Sequence, residues 1–255
     1  MCMELFLLPS KIEYKKGEKP HEAILNVEPL YFGYGTTMAN TLRRVLLSSL
    51  PGAAVTAVKI KGVDQEFSAI DNVKEDALNI ILNLKNLAIK VHSDEPVKLK
   101  LKAKGIKTVT AGDIEKNSDV DIINTDLEIL TLTDKKAEVE MEITVEKGRG
   151  YIPVEERDKE DLEIGTMMVD AVFSPVRSVG YKVENIRVGD ITDYDQLAMT
   201  IETDGTITPQ EAVSQATKIL IDHFSLLQGE KKEVSKDKEE EKEEVIEEEV
   251  IEDEK

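Results

Sequence analysis

The sequence predicts an α+β protein in which two helices flank a strand-rich middle. Three stretches support this prediction. Residues 36–50 have the apolar spacing of a two-faced helix, residues 137–146 alternate between apolar and polar side chains, and a further helical pattern begins near residue 208. Because a β-rich segment separates the two helical ones, we expect one domain to be inserted into another.

The first helix has clear start and stop signals. Thr36 or Thr37 can accept a hydrogen bond from an unpaired amide at the helix start, and Pro51-Gly52 prevents continuation. At about 100° per residue, its apolar positions share one arc with a serine. The residues on this arc are Met38, Ala39, Leu42, Val45, Leu46, Ser49 and Leu50.

Leu47 departs from this pattern. It falls among the polar positions Asn40, Arg43 and Arg44, so we expect an apolar side chain that faces outward. A single exposed leucine is ordinary on a protein surface. Beside two arginines it also suits a docking contact, in which a guanidinium donates to a partner's carboxylate or carbonyl. Both interpretations stay open.

The other elements follow from alternation and turn residues. The stretch 53–63 alternates like a half-buried strand, and Asp71 or Asn72 can cap a helix that ends near Lys85-Asn86. Further strands are expected at 4–8, 21–30, 98–103, 127–132, 137–145, 166–173, 181–188 and 197–202.

The last helix opens with a capping box, in which Thr208 precedes Pro209 and is followed three residues later by Glu211. Its apolar arc spans roughly 160°, wider than a helix that packs on one side. We therefore expect more than one partner element and a homodimer. The arc contains Ala212, Val213, Ala216, Ile219, Leu220, His223, Phe224, Leu226 and Leu227.

Charge and composition limit the possible functions. The net charge of −19 argues against a broad phosphate-binding surface, and the run 229–255 is rich enough in Glu and Lys to predict a disordered acidic tail. Cys2 is the single cysteine, which excludes an intrachain disulfide and fits a reducing compartment. The opening residues do not resemble a signal peptide and no run is long enough to span a membrane, so we expect a cytoplasmic protein.

Residues suited to catalysis are scattered. His21, His92, His223 and Cys2 lack the spacing of a zinc site, and Gly148-Arg149-Gly150 resembles a phosphate turn only superficially. The sequence therefore predicts no active site, no metal and no cofactor on this chain.

Several short motifs follow one another in a fixed order along the chain. They are Glu28-Pro29-Leu30, the run 32–49, Gly62-Val63, Glu75-Asp76, Leu82-Asn83-Leu84-Lys85, Gly148-Arg149-Gly150-Tyr151, Val169-Asp170-Ala171, Ser174-Pro175-Val176 and Glu202-Thr203-Asp204-Gly205-Thr206. In their order and spacing, these motifs resemble the N-terminal part of the bacterial RNA polymerase alpha subunit, and the resemblance extends over residues 1 to about 228.

The resemblance implies a scaffold without its own active site. Residues 1–51 with 176–228 would form an antiparallel-sheet dimerisation domain with two helices, interrupted by a β-rich insert at 52–175. Two copies would pair and recruit the large beta and beta-prime subunits.

Residue by residue, the resemblance implies beta contacts at Arg44, Leu47 and Lys85 and beta-prime contacts at Val176 and Arg187. Lys85 also suits an ordinary cation at a helix end, and Val176 suits a strand core. Six residues can serve either the chain's core or the dimer interface: Leu42, Val45, Leu46, Leu220, Phe224 and Leu227.

One departure from the family affects DNA binding. Its usual members continue through a linker into a small helical domain that binds promoter DNA, whereas this sequence stops at Lys255 after the acidic run. We therefore expect little or no direct DNA binding. The alternative function is a non-enzymatic dimeric binding or chaperone-like protein with the same fold.

Overall fold

The computed structural model describes residues 8–157, 163, 165–189 and 191–227. The expected strand at 4–8 lies almost wholly outside these residues, and the acidic run 229–255 lies entirely outside them. The helices are α1 (Tyr34–Ser48), α2 (Ala77–Leu84) and α3 (Pro209–Leu227). The strands are β1 (Lys11–Lys16), β2 (Glu22–Leu30), β3 (Pro51–Ile60), β4 (Ile89–Val91), β5 (Val97–Lys104), β6 (Lys107–Thr110), β7 (Val120–Ile122), β8 (Glu128–Leu132), β9 (Glu138–Arg149), β10 (Tyr151–Ile152), β11 (Thr166–Met168), β12 (Ala171–Val172), β13 (Val176–Val188) and β14 (Ile191–Thr203).

One antiparallel sheet joins strands from early and late in the sequence, in the order β1-β2-β14-β13. The β1-β2 hairpin comes from the N-terminal part and the β13-β14 hairpin from the C-terminal part, and β2 pairs with β14. Helix α1 packs against β13 and β14, where the Tyr181 hydroxyl donates to Asn40 Oδ1 over 2.9 Å. The fold is therefore α+β, as predicted.

A second antiparallel sheet forms the middle of the chain in the order β11-β3-β9-β5. The alternation predicted for β9 is confirmed, because Met141, Ile143 and Val145 are buried while the intervening carboxylates face lysines of the neighbouring strands. Short ladders and α2 cover the buried side. The largest side chains of this core are Ile80, Leu84, Ile89, Leu101, Ile129, Leu130, Leu132, Met141 and Ile143.

Strand β3 differs from the half-buried strand that its sequence predicts. Every residue from Ala54 to Val58 is buried. The reason is tertiary, since β3 lies between two strands and is covered on both faces. Val58 belongs to the main core of the middle region, while Ala54 packs with Ala171 and Phe173 on the other side.

The predicted caps of the first two helices are wrong. Helix α1 begins at Tyr34, ahead of Thr36 and Thr37, after Gly33 in a left-handed conformation with φ 81°. Helix α2 is capped by Asp76, whose carboxylate accepts from the Asn79 amide over 2.8 Å. Asp71 and Asn72 instead lie within a turn ahead of the helix.

The cap of α3 is confirmed. The Glu211 amide donates to Thr208 Oγ1 over 3.2 Å, and the Thr208 amide donates to Glu211 Oε2 over 2.9 Å.

The expected strand at 166–173 divides into β11 and β12, which belong to different sheets.

Candidate partner-binding surface

Helix α1 presents one face to the core and another to solvent. Leu42 and Leu46 are buried, and Leu46 is 0% exposed, so both contribute to the core of the single chain. Arg44 is exposed, while Val45 and Leu47 are half-buried. Leu47 is thus less exposed than the helical pattern predicts, although it is not a core residue.

The turn after β9 lies against the C-terminal end of α1. Arg149 pairs with Pro51, which begins the strand that follows the helix. Gly150 has φ 67°, and a Cβ atom placed on it would lie 3.2 Å from the Ser48 carbonyl oxygen. A left-handed glycine in this tight position lets the backbone between Arg149 and Tyr151 approach the last turn of α1 closely.

Lys85 joins this surface through Tyr151. Its ammonium lies 3.3 Å from Asp170 Oδ2 and 5.9 Å from the centroid of the Tyr151 ring. The amide of Val154 donates to Asp170 Oδ1 over 3.2 Å. Lys85 is therefore held in place by an ion pair and a cation–π contact and is not a free cation at a helix end.

The electrostatics of this cluster agree with its geometry. The Val154 amide, together with the Lys85 ammonium, lowers the pKa of the Asp170 carboxyl. Partial desolvation and the neighbouring Asp170 carboxylate raise the pKa of the Tyr151 hydroxyl, and Glu155 and Glu156 add to the shift. Tyr151 is 56% exposed, so a neutral, solvent-exposed aromatic side chain lies beside the Lys85–Asp170 ion pair at neutral pH.

The residues that the resemblance assigns to beta contact are thus linked by contacts. Arg44 and Leu47 lie on α1, Gly150 abuts the end of that helix, and Tyr151 reaches Lys85. Sequence reasoning missed Arg149 and Tyr151 as members of this group. The available signal was the Gly-Arg-Gly-Tyr run, whose position beside α1 becomes visible only in the fold.

The residues assigned to beta-prime contact are not brought together. Val176 is the first residue of β13 and is 4% exposed, whereas Arg187 is the next-to-last residue and is exposed. At about 3.3 Å per residue, they stand roughly 36 Å apart along the strand. The Arg187 Nε atom donates to the Gly189 carbonyl over 2.8 Å.

The apolar arc of α3 changes from buried to exposed along the helix. Ala212, Val213 and Ala216 are buried, and Leu220 is half-buried. Phe224 is 57% exposed and Leu227 is 82% exposed. His223, which lies on the same arc, is exposed and contacts the Ile219 carbonyl through Nδ1 over 2.7 Å.

Other kinds of site find little support in the described part of the chain. No group of three or more His, Cys, Asp and Glu side chains there is arranged to hold a metal ion. A depression of about 430 Å³ on the outer face of the middle sheet is lined by lysines and glutamates that pair with one another, such as Lys61 with Glu140. None of the helices in these ranges has the length and apolar character needed to cross a membrane.

Comparison with known proteins agrees with the resemblance. A family model described as the RNA polymerase Rpb3/RpoA insert domain matches residues 58–174. A protein of Moorella thermoacetica is 54% identical over 209 residues, which cover 82% of this chain and 66% of the relative. One of Desulfitobacterium hafniense is 50% identical over 224 residues, covering 83% of this chain and 71% of the relative. One of Alkaliphilus oremlandii is 52% identical over 200 residues, which cover 78% of this chain and 63% of the relative. All three relatives are named DNA-directed RNA polymerase subunit alpha, and the chain spans about two thirds of their length.

Proposed function

The chain belongs to the family of DNA-directed RNA polymerase alpha subunits, and on this premise we propose that it is the assembly scaffold of such an enzyme. In this role it pairs with a second copy and recruits the beta and beta-prime subunits, which carry out catalysis. The observation that carries the proposal is 50% identity to a relative of that name over 71% of the relative's length.

The surface around α1 supports recruitment of beta. Arg44 is exposed on the outer side of the helix, where Leu47 supplies a half-buried apolar contact. Lys85 is connected to α1 by the turn at Gly150 and Tyr151, because Gly150 lies against the end of the helix and the Tyr151 ring contacts the Lys85 ammonium. An arginine next to an apolar side chain and an aromatic ring has the composition of a protein–protein hot spot.

The exposed end of α3 supports pairing of two copies. Phe224 and Leu227 are large apolar side chains that stay in water in the single chain. A two-fold pair of such helices would remove them from water in both copies. For the interface we therefore propose Leu220, Phe224 and Leu227, with the half-buried Val45 as a further contact.

The division into domains is part of the same proposal. The match of the insert-domain family to residues 58–174 supports an insert at 52–175. The sheet that unites β1, β2, β13 and β14 supports a dimerisation domain built from 1–51 and 176–228. For beta-prime, the exposed Arg187 is the accessible candidate, and Val176 would act by supporting the start of β13.

The test is co-purification of the cognate beta subunit with the wild-type chain and with Arg44→Ala. We expect the wild type to retain beta and the variant to lose it, while both sediment as dimers. Lys136→Ala is the matched control because it removes one exposed cation just ahead of the opposite end of β9. Failure of the wild-type chain to bind any beta subunit would refute the scaffold function.

A further inference from the structure

Several arginines have no ionic partner among the described residues although the chain is strongly acidic. The protein contains 52 Asp and Glu residues against 33 Lys and Arg. Arg157 uses one of these carboxylates, donating to Glu146 over 2.8 Å. Among the described residues, Arg43, Arg44 and Arg149 are exposed and form neither an ion pair nor a hydrogen bond through their side chains.

Two of these unpaired arginines flank the same turn. Arg149 lies opposite Pro51 in the ladder, and Arg44 is one helical turn before Ser48, whose carbonyl oxygen contacts the Gly150 position. The Ser48 hydroxyl donates to the Arg44 carbonyl over 2.7 Å, which ties this last turn together. Arg44 and Arg149 therefore flank the same backbone contact, between the last turn of α1 and the turn at Gly150.

The nearby carboxylates form no ion pair with Arg149. Asp170 is already held by Lys85 and the Val154 amide. Glu155 and Glu156 are close enough to influence Tyr151, yet neither pairs with Arg149. Folding thus leaves the guanidinium groups of Arg44 and Arg149 without an ion pair to any described residue, near the exposed Tyr151, on a chain whose net charge is −19.

We propose that Arg149 and Tyr151 extend the beta-binding surface of Arg44, and that together they bind a carboxylate-bearing segment of the beta subunit. Two guanidinium forks match the planar geometry of carboxylates, which a single lysine cannot do. Tyr151 supplies a rigid ring for the apolar part of the same segment. This inference rests on the proposed scaffold function and adds two residues and the chemistry of the partner.

The experiment measures the affinity of the full-length chain for the purified cognate beta subunit at low and high NaCl. The variants are Arg149→Ala, Arg149→Lys and Tyr151→Ala, with Lys136→Ala as the control. We expect Arg149→Ala to weaken binding about tenfold or more, as truncation of a hot-spot arginine does. Arg149→Lys should recover only part of the affinity, because it keeps the charge and loses the fork.

The control should stay within about twofold of wild type, and the difference between wild type and Arg149→Ala should shrink at high salt. Arg149 is exposed, so its variants should unfold at the wild-type temperature. If Arg149→Ala binds beta like wild type while Arg44→Ala does not, the inference is wrong and the scaffold function stands. If the wild type binds no beta, both fail. If Arg149→Ala instead loses only binding to duplex DNA, the surface serves a nucleic acid and the inference is overturned.

Discussion

Adjacent leucines on α1 should respond differently to the same truncation. Leu46 is 0% exposed, whereas Leu47 is half-buried beside Arg44. Leu→Ala at a fully buried site removes transfer free energy and leaves a cavity, so we expect Leu46→Ala to cost about 3 kcal/mol. For a protein of this size that corresponds to a fall of about 6–12 °C in the midpoint of thermal unfolding.

Leu47→Ala should cost about 1 kcal/mol or less, because part of its side chain already contacts water. Its effect should fall on beta binding instead. Both variants are measured by calorimetry at one protein concentration, since self-association raises the apparent stability. An equal loss of thermal stability in the two variants would show that Leu47 is a core residue and would refute the division of α1 into a core face and a partner face.

Three further predictions concern the cap of α1, acid stability and self-association. Asp195 is buried and accepts from the Gly35 amide over 3.1 Å, so Asp195→Ala should cost about 1–2 kcal/mol in urea unfolding; an unchanged midpoint would contradict this. The Glu140 carboxyl is paired with Lys102 and Lys61, which lower its pKa from 4.5 to about 2. The contribution of this carboxylate to the free energy of unfolding is therefore complete above about pH 4.5 and is lost as the pH falls towards 2. Lys102→Ala should flatten the pH dependence of stability between these two pH values, which urea unfolding at several pH values would measure. Finally, Phe224→Asp should sediment as a monomer at micromolar concentration, whereas an unchanged dimer would remove this residue from the interface.

Local signals predicted the elements whose determinants are close in sequence. The capping box of α3 involves residues three positions apart, and the alternation of β9 needs no knowledge of its neighbours. The prediction for the start of α1 was wrong because the carboxylate that accepts from the Gly35 amide belongs to Asp195, which is 160 positions away in the sequence. Ladders as short as β4 and β10 depend on their partners in the same way, so periodicity does not reveal them.

The residues of the candidate surface also differ in whether local sequence or the fold identifies them. Arg44 could be identified from the sequence because helical geometry alone places it opposite the core face. The exposure of Phe224, in contrast with the burial of Leu46, required the fold, because both lie on apolar arcs. Arg149 was not identified from the sequence, since its proposed role depends on the turn at Gly150, which the sequence shows only as a glycine-rich run.

Two glycines that pack against Phe173 show how the candidate surface keeps its shape. The chain leaves α1 through Pro51-Gly52 and returns near Phe173, and a Cβ atom on Gly52 would lie 1.9 Å from the Phe173 carbonyl oxygen. A Cβ on Gly148 would lie 2.7 Å from the Phe173 ring. Neither position has room for a side chain unless the backbone or the ring moves. The start of β3, which follows α1, and the end of β9, which carries Arg149, are therefore packed against the same residue. A partner that binds both sides of this junction meets a surface that is already arranged, so less conformational entropy is lost on binding.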